Sequence, residues 1–176
     1  FQNWVSNVWQ GGEGAFSGTD QVALTPGSDA NDLNFGWYSE SKGIPAVMIW
    51  KVGAKGAAEV FTGTASDISA ANWQGKTYTA SNKVHIENYF AENTKYCYQY
   101  TNDYKEDGTS VWSEQYTYTT QSTDQFSVIL TGDPQVGASG SSSDRQANDA
   151  SIARDAYNWN KTMQQAIKTC PDAAFL

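Results

Sequence analysis

FSVILTGDPQ, Phe126 to Gln135, is an apolar run of Phe126, Val128, Ile129 and Leu130 that drives straight into Gly132-Asp133-Pro134-Gln135. Continuous apolar character over so short a length predicts a buried strand, residues 126–131, of the kind that parallel sheets cover on both faces. A strand that delivers a carboxylate beside a glycine at its C-terminal end is how open α/β sheets present ligands to a metal or a phosphate. Downstream, residues 137–143 are rich in Gly and Ser and are followed by Asp144 and Arg145. Ile152, Ala156, Trp159, Met163 and Ile167 then recur at spacings of three and four, which puts them on one face of a helix. Pro171 ends that helix, and Ala173–Leu176 reads as the start of another strand. Strand, loop, helix, strand predicts a βαβ crossover interrupted at its last element.

Upstream the reading changes. Residues 1–19 carry Trp4, Trp9 and the patch Gly11-Gly12-Glu13-Gly14, an extension expected to pack its aromatics on the module that follows. Residues 20–120 alternate strand and turn signals. Strands are predicted over 21–25, 33–39, 46–52, 59–62, 76–87, 94–102 and 112–119, with turns at Pro26-Gly27, Gly53–Gly56 and Asp107-Gly108. In the segment 94–102, Thr94, Tyr96, Tyr98 and Tyr100 share one face, and Lys95, Cys97, Gln99 and Thr101 share the other. That alternation predicts one buried and one wet face. Short strands at this spacing indicate an immunoglobulin-like β-sandwich. Residues 121–125 read as a polar linker, so the segment 121–176 is a separate unit.

Composition removes several classes of function. Nineteen acidic against eleven basic residues give a formal net charge of −8, which disfavours nucleic acid, whose binding needs clustered Lys and Arg. There is no basic amphipathic segment for a membrane surface, and no apolar run approaches the roughly 20 residues that span a bilayer. The first residue is Phe1 rather than Met, which predicts a mature or trimmed product whose signal peptide has been removed. Cys97 and Cys170 either pair or stand as free thiols, and spacing does not decide between these. The sequon Asn160-Lys161-Thr162 falls inside the predicted helix and reads as chance.

Asp133 is the leading candidate for chemistry. Alone, Gly-Asp-Pro is a turn. After an apolar strand and before a crossover, the carboxylate would project into the crevice at the sheet's carboxyl edge, with Gln135 two residues on offering a neutral oxygen. Residues 139–144 could lie over a phosphate at the helix N-terminus, but read better as a connection with Asp144 as cap. The single histidine, His85, sits between Val84 and Ile86 and reads as an outward strand residue with no partner for a zinc site. Gly137-Ala138-Ser139-Gly140 lacks the spacing of a nucleophile elbow.

Two motifs carry a resemblance. Phe90-x-Glu92-x-Thr94-x-Tyr96 resembles the entry to the sixth strand of fibronectin type III modules, where the Tyr makes a tyrosine corner and Trp37 would match the core Trp. Glu92 stands where such modules often carry Pro. ILTGDPQVG, directly after that module, resembles the start of a calcineurin-like metallophosphoesterase, in the two-domain order of purple acid phosphatases. The fold this implies is mainly β, a fibronectin type III-like β-sandwich followed by the first β-α unit of an α/β metallophosphoesterase domain. Asp133 matches the Asp of the superfamily's Asp-x-His motif, and Gln135 occupies the His position, which purple acid phosphatases also leave without His. The resemblance implies hydrolysis of a phosphate ester by a secreted or cell-surface enzyme at two metal ions of the iron, zinc or manganese type. Asp133, and Gln135 beside it, would supply ligands. The remaining motifs, with most of the His ligands, are not in this sequence, so the fragment alone is expected to be inactive and to hold no metal stably. The alternative is a non-catalytic cell-surface or polysaccharide-binding β-sandwich module. The aromatic stripes could serve that role as a platform, although strict alternation makes them core first.

Overall fold

Leu33, Phe35 and Trp37 alternate with polar or small residues, and that period places all three on the buried face of one strand. The computed structural model describes residues 2–7, 22–73, 76–139 and 148–175. Its elements are α1 (Gln2–Asn7), β1 (Ala23–Pro26), β2 (Leu33–Ser39), β3 (Ala46–Lys51), β4 (Glu59–Thr62), β5 (Thr64–Trp73), β6 (Lys76–Ile86), β7 (Lys95–Thr101), β8 (Tyr116–Thr119) and α2 (Asp149–Thr169). A short 3-10 turn, Lys55–Ala57, lies between β3 and β4. The chain divides into two units, residues 18–126 and residues 1–17 with 127–176.

The first unit is a β-sandwich of two four-stranded antiparallel sheets, ordered β1-β2-β6-β5 and β4-β3-β7-β8. Aromatic side chains from both sheets fill its interior. Phe35 meets Tyr98 edge-on at 5.3 Å between ring centroids, and Trp37 meets Tyr100 at 5.1 Å. Leu33, Val47, Ile49, Val84 and Ile86 complete the core, each at or below 1% exposure. Burying such a side chain stabilises by about 1.5–3 kcal/mol, far more than a ring gains on a wet surface, so the stripes of β2 and β7 point inward.

Two expectations are corrected by the structure. The predicted wet face of β7 is mostly dry: Cys97 is 5% and Thr101 3% exposed, because β7 is a central strand. Cys97 stands opposite Trp50 on β3 and Thr117 on β8, and the Gln115 side chain reaches its sulfur at 3.3 Å. Both cysteines are free. The ten-residue strand β5 was not anticipated. It pairs with β6, with a register shift between Asp67 and Ala71. The expected turn at residues 53–56 is present between the antiparallel strands β3 and β4 and includes part of the 3-10 turn at Lys55–Ala57.

At the mouth of β7 the Tyr96 ring is fully buried, and its phenolic oxygen accepts the Ala91 N–H at 2.9 Å. Thr120 ties down the same corner: its hydroxyl donates to the Ala91 carbonyl at 2.6 Å and accepts the Thr94 N–H at 2.9 Å. Past β8, the Thr123 hydroxyl hydrogen-bonds the Glu92 carboxylate, so the start of the expected linker is anchored to this corner.

In the second unit α2 begins at a capping box. Asn148 Oδ1 accepts the Ser151 N–H at 3.0 Å, and Ser151 Oγ accepts the Asn148 N–H at 3.0 Å. Asn148 is therefore the cap; the expected cap, Asp144, lies outside the described residues, as do Trp9, the patch 11–14, residues 140–143 and Arg145. The helix ends two residues before Pro171. Its most buried residues are Ser151 and Ala153, whereas Ile167 on the expected apolar face is 55% exposed. Trp4 of α1, expected to pack on the module that follows it, meets the Tyr157 ring of α2 at 5.5 Å. Among the described residues no helix is long and apolar enough to cross a membrane.

Candidate metal centre

The segment leading to Asp133 runs beside the C-terminal end of the chain. Val128 and Phe175 form a parallel β-bridge. The Ile129 N–H donates to the Phe175 carbonyl at 3.0 Å, and the Ala174 N–H to the Ser127 carbonyl at 2.8 Å. The two partners flank α2 in the chain and are joined by a single bridge rather than a strand ladder. The expectation of a buried strand over 126–131 is corrected. Pairing is confined to this bridge, and Phe126, Val128 and Leu130 are 63%, 53% and 94% exposed. Among the described residues, the backbone partners of the segment are Ala174 and Phe175.

At the end of the segment the chain turns sharply. Asp133 Oδ1 accepts the Gln135 N–H at 3.0 Å, an Asx turn around Pro134. Gln135 takes φ +45°, in the left-handed region, and its carbonyl accepts the Ala138 N–H at 2.9 Å. A non-glycine residue there costs on the order of 1–3 kcal/mol unless its surroundings hold it. Asp155 on α2 does the holding: its Oδ2 accepts the Gly137 N–H at 2.9 Å and the Ser139 N–H at 3.1 Å. Ser151 Oγ adds a hydrogen bond to the Gly137 carbonyl at 3.3 Å. Hydrogen bonds from Ser139, then that from Gly137, hold the Asp155 carboxyl below the ordinary Asp value of 3.8. Sequence reasoning passed over Asp155, since nothing local marks it; its role exists only once the loop folds back on the helix.

Asp133 and Gln135 are thus in one turn, both exposed. One carboxylate oxygen of Asp133 is engaged by the turn; the Gln135 side-chain amide makes no hydrogen bond among the described residues. A carboxylate and an amide oxygen suit a hard or borderline cation, but a metal ion normally takes four to six ligands. Among the described residues no three His, Cys, Asp or Glu side chains converge on a point. His85 belongs to the sandwich, on β6, with Nδ1 at 2.5 Å from Asn34 Oδ1 and Nε2 at 3.1 Å from Glu87 Oε1.

No protein-family model and no curated protein matches this chain.

Proposed function

We propose that this chain is the N-terminal part of a metal-dependent phosphoesterase, secreted or displayed at the cell surface, in which an immunoglobulin- or fibronectin type III-like sandwich precedes the first β-α unit of the catalytic domain. The observation that carries the reading is the turn Asp133-Pro134-Gln135 at the end of an apolar segment bridged in parallel to Phe175, with α2 between them. Exposed apolar side chains at Val128 and Leu130 support it, because strands of parallel sheets are apolar on both faces and are covered by further layers. The sandwich type is supported by strand order. Lettered A, B, C, C′, D, E, F and G in chain order, the sheets read A-B-E-D and C′-C-F-G, and Tyr96 at the start of F bonds upstream as a tyrosine corner does.

In this reading the Asp133 carboxylate holds one metal ion and Gln135 contributes its amide oxygen, or hydrogen-bonds a metal-bound group. The other ligands would have to come from outside these residues. Two bound metal ions would polarise the phosphoryl group and acidify a water for attack on phosphorus. This chain's own part is positional: Asp155 and Ser151 fix the loop that sets the left-handed Gln135, and that turn aims Asp133.

The test is to express the reading frame through and beyond codon 176, measure bound metal, and assay hydrolysis of p-nitrophenyl phosphate. Activity should fall by about a hundredfold or more in Asp133→Asn, with loss of metal. A metal-loaded product that cleaves no phosphate ester, or a variant as active as the parent, would refute the proposal.

A further inference from the structure

The outer face of the β1-β2-β6-β5 sheet carries an open recess of about 510 Å³, within the roughly 300–1,000 Å³ typical of small-molecule sites. Strand register creates it. Ala23 lies opposite Gly36, Gly36 opposite Lys83, and Lys83 opposite Thr64, so one rung crosses all four strands. The neighbouring rung runs Thr25, Asn34, His85. The residues between them in sequence, Phe35 and Val84, are buried in the core, which leaves these rungs facing out. Gly36 makes the floor: a Cβ there would meet only the Asn82 carbonyl, at 3.9 Å.

Polar groups of definite kind stand around that floor, among apolar surface from Ala23, Phe35 and Val84. Lys83 is exposed and makes no ion pair among the described residues. His85 is held in orientation by Asn34 and Glu87. Thr25 on β1 and Thr64 on β5 line the recess from the two edge strands of the sheet. Two residues beyond Gly36, on the same face, Tyr38 is 58% exposed. Across the sheet from it stand Ser81 and then Ser66, too short to cover the ring. An exposed aromatic ring beside a recess of mixed apolar and polar lining is suited to a ligand with one apolar face and many hydroxyls. One ammonium without an arginine fork fits a single carboxylate and suits phosphate clusters poorly.

We infer that this face of the sandwich binds an acidic saccharide. The C–H face of a sugar ring rests on Tyr38, hydroxyls meet Asn34 and the threonines, and the uronate carboxylate pairs with Lys83. The site is independent of Asp133 and of any metal, so its failure would leave the phosphoesterase reading untouched.

The experiment is an NMR titration of the isotope-labelled 176-residue chain with oligogalacturonate. The backbone amides of Gly36, Thr64, Lys83 and His85 should shift saturably. Affinity should fall by about tenfold or more in Tyr38→Ala and in Lys83→Ala, and return in Lys83→Arg. A neutral malto-oligosaccharide of equal length should bind about tenfold more weakly or worse. Absence of shifts in the recess, equal affinity for the neutral sugar, or reproduction of the same shifts by inorganic phosphate at equal affinity would overturn the inference. So would unchanged affinity in either alanine variant.

Discussion

The indole N–H of Trp37 donates to Oδ1 of Asn102 at 2.6 Å, tying β2 of one sheet to the residue that follows β7 of the other. Trp37 is 3% exposed, so its N–H has little access to water if that acceptor is removed. Asn102→Ala should therefore cost about 1–3 kcal/mol, the desolvation penalty of an orphaned donor, rather than the smaller net worth of one hydrogen bond. Urea unfolding followed by tryptophan fluorescence measures this; an unchanged midpoint would show that the bond contributes nothing.

Tyr96→Phe keeps the ring and its packing and removes one oxygen. The Ala91 N–H then loses its partner at the entry to β7, and the corner held by Thr120 loses one of its ties. The expected loss is about 1–2 kcal/mol, seen as a fall in Tm of roughly 4–8 °C per kcal/mol for a unit of this size. Thr120→Val should act on the same corner, and a double-mutant cycle should show the two changes to be non-additive.

Acid should loosen the sandwich through Asp32. Its carboxylate accepts the Asn88 N–H at 2.9 Å and the Asp29 N–H at 3.1 Å, and these bonds, Asn88's first, hold its pKa below the ordinary 3.8. A depressed folded-state pKa gives stability that is present above 3.8 and lost as pH falls through the lower folded value. Asp103, lowered first by its bond from Lys105 and then by that from the Ile44 amide, adds to the same acid limb. Asp32→Asn should be less stable than the parent at neutral pH and should show a shallower decline below 3.8. Unfolding midpoints measured along a pH series would reveal it, and parallel profiles would refute it.

Asp155→Ala should release the loop after Gln135. The amides of Gly137 and Ser139 lose their shared acceptor, and hydrogen exchange at both should speed up by about tenfold, the equivalent of one lost charge-assisted bond. Exchange in β2, β6 and β7 should not change. Uniform acceleration across the chain would instead mean global destabilisation.

Strands with clean alternation were legible because burial on one face imposes period two on the residues themselves. Leu33–Ser39 and Glu59–Thr62 match their predicted bounds, and Lys95–Thr101 falls one residue inside its own at each end. Thr64–Trp73 was not legible, since its strand formers, Thr64, Ile68 and Trp73, are scattered without alternation among Ala, Asp and Asn. It is an edge strand held by backbone hydrogen bonds to β6, and a ladder does not read side chains. In the candidate site, Asp133 and Gln135 could be named from the apolar run before them, whereas Asp155 could not.

The amino-acid order alone determined that the fold is mainly β, which aromatics form the core, and where a carboxylate ends an apolar run. Each is a local property, set by period and by turn chemistry. Only the tertiary structure decided that Cys97 and Thr101 are dry, that Asp155 secures the turn holding Gln135, and that Ala23, Gly36, Lys83 and Thr64 line up across four strands. Those facts depend on which distant segments become neighbours. That is set by sheet order and register, which no single stretch of sequence contains.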